Sequence, residues 1–123
     1  MKLNQDYRAG SYLIRSYRPG QLTINDELLT RSVVVAPATL LRDWPPQAAA
    51  ELTVGHMQCI IELEPEVLLL GTGERQQFPD PALLKALITQ GIGVEVMGTA
   101  AACRTYNLLT NEGRRVAAGL LLR

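Results

Sequence analysis

The sequence has no surplus of charge. Its 123 residues carry 12 Lys and Arg against 12 Asp and Glu. The basic excess that drives binding to a phosphate backbone is therefore missing, and nucleic acid is not expected as a partner. Cysteine is scarce too. Cys59 and Cys103 are the two present, in neither a CxxC nor a zinc-ligand spacing. Two such thiols do not make the framework of a small secreted domain, and both are read as reduced. Apolar runs such as Val67 to Leu70 and Val116 to Leu122 are far shorter than the roughly 20 residues of a membrane helix, so no direct membrane span is expected. Asn4, Gln5 and Asp6 stand where a secretion leader would need its apolar stretch. The expected location is cytoplasmic.

What is present fits one globular domain over residues 1–123, with 47% hydrophobic and 20% charged residues, long enough to bury a core without metals or disulfides. The charges are segregated along the chain. Met1 to Arg42 carries six positive and three negative groups, Asp43 to Asp80 one and seven, and Pro81 to Arg123 five and two. A polar surface alone gives such a pattern, and so do unlike patches that orient a protein partner. Ten of the basic residues are Arg and two are Lys. Contact surfaces share that bias, and so do GC-rich genomes.

Along the first third, Tyr12 to Tyr17 is rich in β-formers and stops at Pro19 and Gly20. Gln21 to Ile24 alternates polar with apolar before the turn residues Asn25, Asp26 and Glu27, which predicts a hairpin. Leu28 to Ala36 reads as a third strand, buried on both faces at Val33 to Val35 and ended by Pro37. Trp44, Pro45 and Pro46 form a connector. Short helices are expected at Gln47 to Leu52 and at about Gly55 to Leu63.

From Glu66 the pattern sharpens. Val67 to Leu70 is a short apolar strand followed by a tight Gly71-Thr72-Gly73 loop. Asp80 offers an N-cap with Pro81 at the first helical position, and Leu83, Leu84, Leu87 and Ile88 make an apolar stripe before Gly91. Ile92 to Met97 is the next strand, Thr99 caps a helix to about Asn111, and Arg115 to Leu122 is a last strand. Two consecutive βαβ units result, with parallel pairing among the three strands. The fold class is α/β, with N-terminal antiparallel strands added to, or packed on, a C-terminal βαβαβ parallel unit.

This architecture brings Gly71, Thr72 and Gly73 beside Gly98 and Thr99, at the carboxyl ends of parallel strands where ligands of open α/β sheets bind. A helix beginning at Thr99 presents free N–H groups, and Arg104 lies about one turn further in, so a small anion or small-molecule site is physically feasible. The plainer reading is that these residues make turns and caps. No GxGxxG or P-loop pattern is present. Arg104 is either an anion ligand or, as its small apolar neighbours Ala100 to Cys103 favour, an inward-facing donor tying loops to the sheet.

Catalytic patterns are weaker. His56 is the one histidine, and a Cys103–His56 pair would need a proximity that sequence does not supply, so Cys103 reads as a small buried hydrophobe. Glu62, Glu64 and Glu66 flank Pro65 and read as a solvated acidic turn. Arg114 and Arg115 either bind an anion or sit at a helix C-terminus, where positive charge is favoured. No catalytic residue, metal or cofactor is assigned.

The run Glu66-Val-Leu-Leu-Leu-Gly-Thr-Gly73, then Gly91-Ile-Gly-Val-Glu-Val-Met97, Ala101-Ala-Cys-Arg-Thr-Tyr-Asn107 and Glu112-Gly-Arg114, resembles the small-domain family that includes mitochondrial complex I assembly factor three and an adipogenesis-associated human protein, with many bacterial members. Gly20, Leu22, Ile24, Ser32 to Val35, Pro37 and Trp44 follow the same order. The resemblance implies a three-layer fold with a mixed sheet, no established enzymatic activity, and a role in binding other proteins. The expected function is thus a noncatalytic protein-binding domain, an assembly factor in the fuller reading. The alternative is ligand binding at the strand-end loops.

Overall fold

The alternation Gln21-Leu22-Thr23-Ile24 turns Leu22 and Ile24 to one side, and that side is fully buried. β2 (Gln21–Ile24) pairs antiparallel with β1 (Ile14–Arg18) and β3 (Glu27–Leu29) in a three-stranded sheet. The turns between them use Gly20 and Asn25, both at positive φ. The computed structural model describes residues 11–123; the expectation resting on Asn4, Gln5 and Asp6 lies outside the described residues.

A second, five-stranded sheet holds β4 (Val33–Ala36), β5 (Thr39–Leu41), β6 (Val67–Thr72), β7 (Gly93–Met97) and β8 (Val116–Leu121) in the order β5-β4-β8-β6-β7. β6 is parallel to β7 and to β8, and β4 runs antiparallel to β5 and β8. The sheet is therefore mixed, and the expected parallel set is present, with β6 between its two partners. Leading away from β6 to β7 and then back across it to β8, two right-handed crossovers must lie on opposite faces. They do so here: α2 (Pro81–Thr89) covers one face and α3 (Thr99–Asn111) the other.

Period-two alternation divides the core accordingly. Val67, Leu69, Ala118 and Leu120 face α3 and the small sheet, meeting Leu22, Ile24, Cys103 and Tyr106. Leu68, Leu70, Ala117 and Leu121 face Trp44, Met57, Ile60, Leu83 and Leu87. Because both faces are covered, every residue of β6 and β8 is buried. Trp44 packs so closely on the central strand that a Cβ at Gly119 would lie 2.9 Å from its ring.

Several expectations are corrected. Leu28 to Ala36 is two strands in different sheets, not one. The valines belong to the buried β4, whereas Leu28 sits exposed on β3, and the chain breaks at Ser32, whose N–H and hydroxyl both donate to Gln47 Oε1. Pro37 ends β4 as expected, and it opens a turn to β5, whose three residues are too few to read before Arg42 and Asp43. Gln47 to Leu52 forms only a single 3-10 turn, Ala49–Glu51, since Gln47 is committed to Ser32 and to the Trp44 carbonyl. A second 3-10 turn, Val54–Met57, leads into the four-residue α1 (Gln58–Ile61). Gly71 and Thr72 lie in β6 rather than in a loop. Ile88 leaves the buried stripe of α2 and is 61% exposed.

Candidate functional site

The strand order reverses at β6, and its carboxyl end is where an open α/β sheet offers a crevice. Gly71, Thr72, Gly73, Gly98 and Thr99 do converge there. Their polar groups are turned on one another. Thr99 is the first residue of α3 rather than its cap, which is Gly98. The Thr99 hydroxyl donates to the Leu121 carbonyl and accepts the Gly73 N–H at 2.8 Å, while the Thr99 N–H donates to the Gly73 carbonyl at 2.8 Å. Thr72 Oγ1 donates to the Arg75 carbonyl at 2.6 Å and accepts the Gln77 N–H at 2.9 Å. Both threonines are buried.

Close approach explains the glycines. A Cβ at Gly71 would sit 2.9 Å from Thr99 Oγ1 and 3.0 Å from Thr99 Cα, so its absence lets the first turn of α3 rest on β6. Gly73 has φ +96°, and a methyl there would overlap the Arg123 carbonyl. The crevice is thus occupied by the segment Leu121 to Arg123, and the hydroxyls that an anion would use already have partners.

Arg104 does not join this group. It is exposed and lines a separate notch of about 210 Å³ with Arg15, Tyr17, Cys103 and Asn107. The inward-facing guanidinium expected from its apolar neighbours is corrected: at helical spacing Ala102, Cys103 and Tyr106 take the inner face, and Arg104 falls outside it.

The Ala101 to Asn107 run is explained by what α3 holds. Cys103 packs in the core, and burial pushes its thiol up to about 12. The buried Tyr106 hydroxyl donates to the Tyr12 carbonyl at 2.8 Å, and desolvation raises its pKa. Asn107 accepts the Ile14 N–H at 2.9 Å and donates to the Ile14 carbonyl at 2.7 Å, as a neighbouring strand would. These two residues, quoted from sequence only within the run that carries the resemblance and given no role there, tether β1 and the residues leading into it to α3. Their signal was a pair of hydrogen-bonding side chains three and four residues after Cys103, on or beside the buried stripe of α3.

Cys103 and His56 lie on opposite faces of the large sheet, since His56 stacks edge-on to Trp44 with ring centroids 6.4 Å apart. The His56 ring accepts the Thr53 N–H through Nδ1 in a capping box. Among the described residues no group of three or more His, Cys, Asp or Glu is placed to hold a metal. Glu66 is not merely solvated: its carboxylate accepts the Arg115 N–H at 3.0 Å and the Arg114 Nε–H at 3.1 Å. The backbone donor first, and the guanidinium after it, hold this carboxyl below its ordinary pKa.

A family model described as a protein of unknown function (DUF498/DUF598) matches residues 14–121. A curated relative from Danio rerio, NADH dehydrogenase (ubiquinone) 1 alpha subcomplex assembly factor 3, is 35% identical over 121 residues, covering 97% of this chain and 68% of its own length. Across the curated assembly-factor relatives, the chain spans about half to two thirds of their length. A crystal structure from Bordetella parapertussis superposes with a TM-score of 0.87 at 38% identity, covering 93% of this chain and 98% of that one. An NMR structure from Xanthomonas campestris gives 0.84 at 43% identity, covering 99% and 92%. The core alternation, the Gly71–Thr99 contact and the Asn107–Ile14 tether all lie within the matched span, and the chain belongs to the DUF498/DUF598 family.

Proposed function

We propose that this chain is a noncatalytic assembly factor that binds protein subunits of an NADH dehydrogenase while that complex is put together. The observation that carries the reading is the 35% identity over nearly the whole chain to a relative described as an assembly factor for that enzyme. The surface supports it in kind. Val54, Phe78 and Ile88 are each more than half exposed, on or beside the elements that cover one face of the sheet. Large apolar side chains held in water favour burial against a partner, at about 25 cal/mol per Å² covered.

The acidic groups Asp43, Glu51, Glu62 and Glu64 are near the same layer in sequence and are exposed or half-exposed. A partner with basic residues around an apolar centre would match them. Binding in the cytoplasm, on subunits before they are complete, is the proposed setting.

Depletion of the protein in its own cells, followed by native electrophoresis of respiratory complexes, tests the proposal. Assembled NADH dehydrogenase should fall and recover on re-expression, and crosslinked capture should recover its subunits. Normal amounts of the assembled enzyme after depletion would overturn it. A Phe78→Asp, Ile88→Asp double variant should fold and fail to restore assembly.

A further inference from the structure

A cavity of about 510 Å³ opens at the end of the large sheet opposite to the strand-end loops, where β8 begins. Its size lies within the about 300 to 1,000 Å³ typical of small-molecule sites. Leu13, Pro37, Leu63, Pro65 and Val116 give it apolar walls, and Arg114 and Arg115 border it. We infer that this cavity binds small amphipathic carboxylates, with the hydrocarbon body against the apolar walls and the carboxylate at Arg115.

The charge arrangement selects the ligand class. Arg114 is committed through Nε to Glu66, so one carboxylate already offsets one of the two guanidiniums. Arg115 has no side-chain acid partner among the described residues; its Nε–H donates only to the Glu64 carbonyl, at 3.4 Å. The site therefore carries one positive charge beyond its internal pairing, and a guanidinium favours planar, bidentate contact with a carboxylate. A dianion would overcompensate it, and a neutral alkane would leave it without a counter-charge.

Thr110 also lines the cavity. Its Oγ1 is buried without a partner of hydrogen-bonding geometry, although it lies near enough to the Tyr106 hydroxyl to offset part of the rise that burial gives that phenol. The backbone at this end is fixed independently of the Arg115 side chain. Glu66 accepts the Arg115 N–H, and the Arg115 carbonyl accepts the Glu66 N–H at 2.8 Å. Arg115→Gln should therefore remove the charge and keep the cavity.

The test uses the full chain with sodium octanoate and octanamide as probes, read by ligand-observed NMR and by amide shifts of the labelled protein. Octanoate should bind saturably, with shifts centred on Ala36–Thr39 and Thr110–Val116. Octanamide should bind about tenfold more weakly, the scale of one lost charge-assisted hydrogen bond. Across the butanoate to decanoate series, affinity should rise about threefold to fourfold per methylene. Arg115→Gln should weaken octanoate to the level of the amide and leave the amide unchanged. Ala38→Glu, at an exposed turn position on the cavity wall, should repel octanoate while the protein stays folded. No saturable binding at millimolar octanoate, shifts centred elsewhere, or equal octanoate affinity in wild type and Arg115→Gln would each overturn the inference.

Discussion

Replacing Thr99 by Val tests whether the convergence of β6, α3 and β8 is a structural joint. The substitution keeps shape and β-branching, so it opens no cavity and isolates the hydroxyl. Two buried backbone groups lose their partner, the Gly73 N–H and the Leu121 carbonyl. An unsatisfied buried group costs about 1 to 3 kcal/mol, which gives about 2 to 6 kcal/mol for the pair. With an unfolding entropy of about 2.1 cal/mol/K per residue, a domain of this length loses about 4 °C of Tm per kcal/mol. Thr99→Val should therefore melt about 8 °C or more below the wild type. Thr99→Ser keeps both hydrogen bonds and loses one methyl, about 0.8 kcal/mol, so its loss should be close to about 3 °C. Differential scanning calorimetry at pH 7 reads both. A Thr99→Val protein that melts with or above Thr99→Ser would refute the assignment of that hydroxyl as a buried bridge.

Gly73→Ala should cost more than Gly91→Ala in chemical denaturation. Both positions have positive φ, but only at Gly73 does the added methyl meet the chain, at the Arg123 carbonyl; the strain common to both is about 1 kcal/mol. Glu66 has a depressed pKa in the fold, so its contribution is fully present above the unfolded value near about 4.3 and is lost as pH falls through the folded value. The Tm gap between wild type and Glu66→Gln should be constant near neutrality and should narrow only in acid. Cys103, with its thiol pushed up to about 12 by burial, should resist a thiol reagent at pH 7 until the protein unfolds. Cys103→Ser should fold with a loss of about 1 kcal/mol, its hydroxyl able to reach a helix carbonyl one turn back.

The parallel core was legible because β6, β7 and β8 are separated by helix-length segments with clear stops, Asp80-Pro81 before α2 and Gly91 after it. The small sheet was half legible. Its hairpin follows from turn residues, whereas the transfer of the chain from β3 to β4 depends on Ser32 finding Gln47, a contact that local pattern does not encode. Thr72 and Thr99 were correctly drawn to one place by topology. Whether their hydroxyls face a ligand or the surrounding backbone is decided by distant partners such as Leu121, 22 residues from Thr99. Arg104 misled because small neighbours suggest burial without stating which face of the helix they occupy. The cavity beside Arg115 gave no sequence signal beyond two adjacent arginines, since its walls come from segments as far apart as Leu13, Pro37 and Val116.

The placement of β8 bears on how the chain reaches its fold. It follows every other strand in sequence, yet it sits between β4 and β6 and supplies the hydrogen-bond partner of each. During synthesis, the β1–β5 portion and the β6–β7 portion emerge first and have no edge in common. Until β8 inserts, Val33–Val35 and Val67–Leu70 each present an unsatisfied backbone ladder flanked by apolar side chains. That intermediate is the form most exposed to aggregation and to chaperone capture. Closure through one late, long-range element also makes folding slow for a chain of this size, because the loop entropy is lost before the two half-sheets are joined.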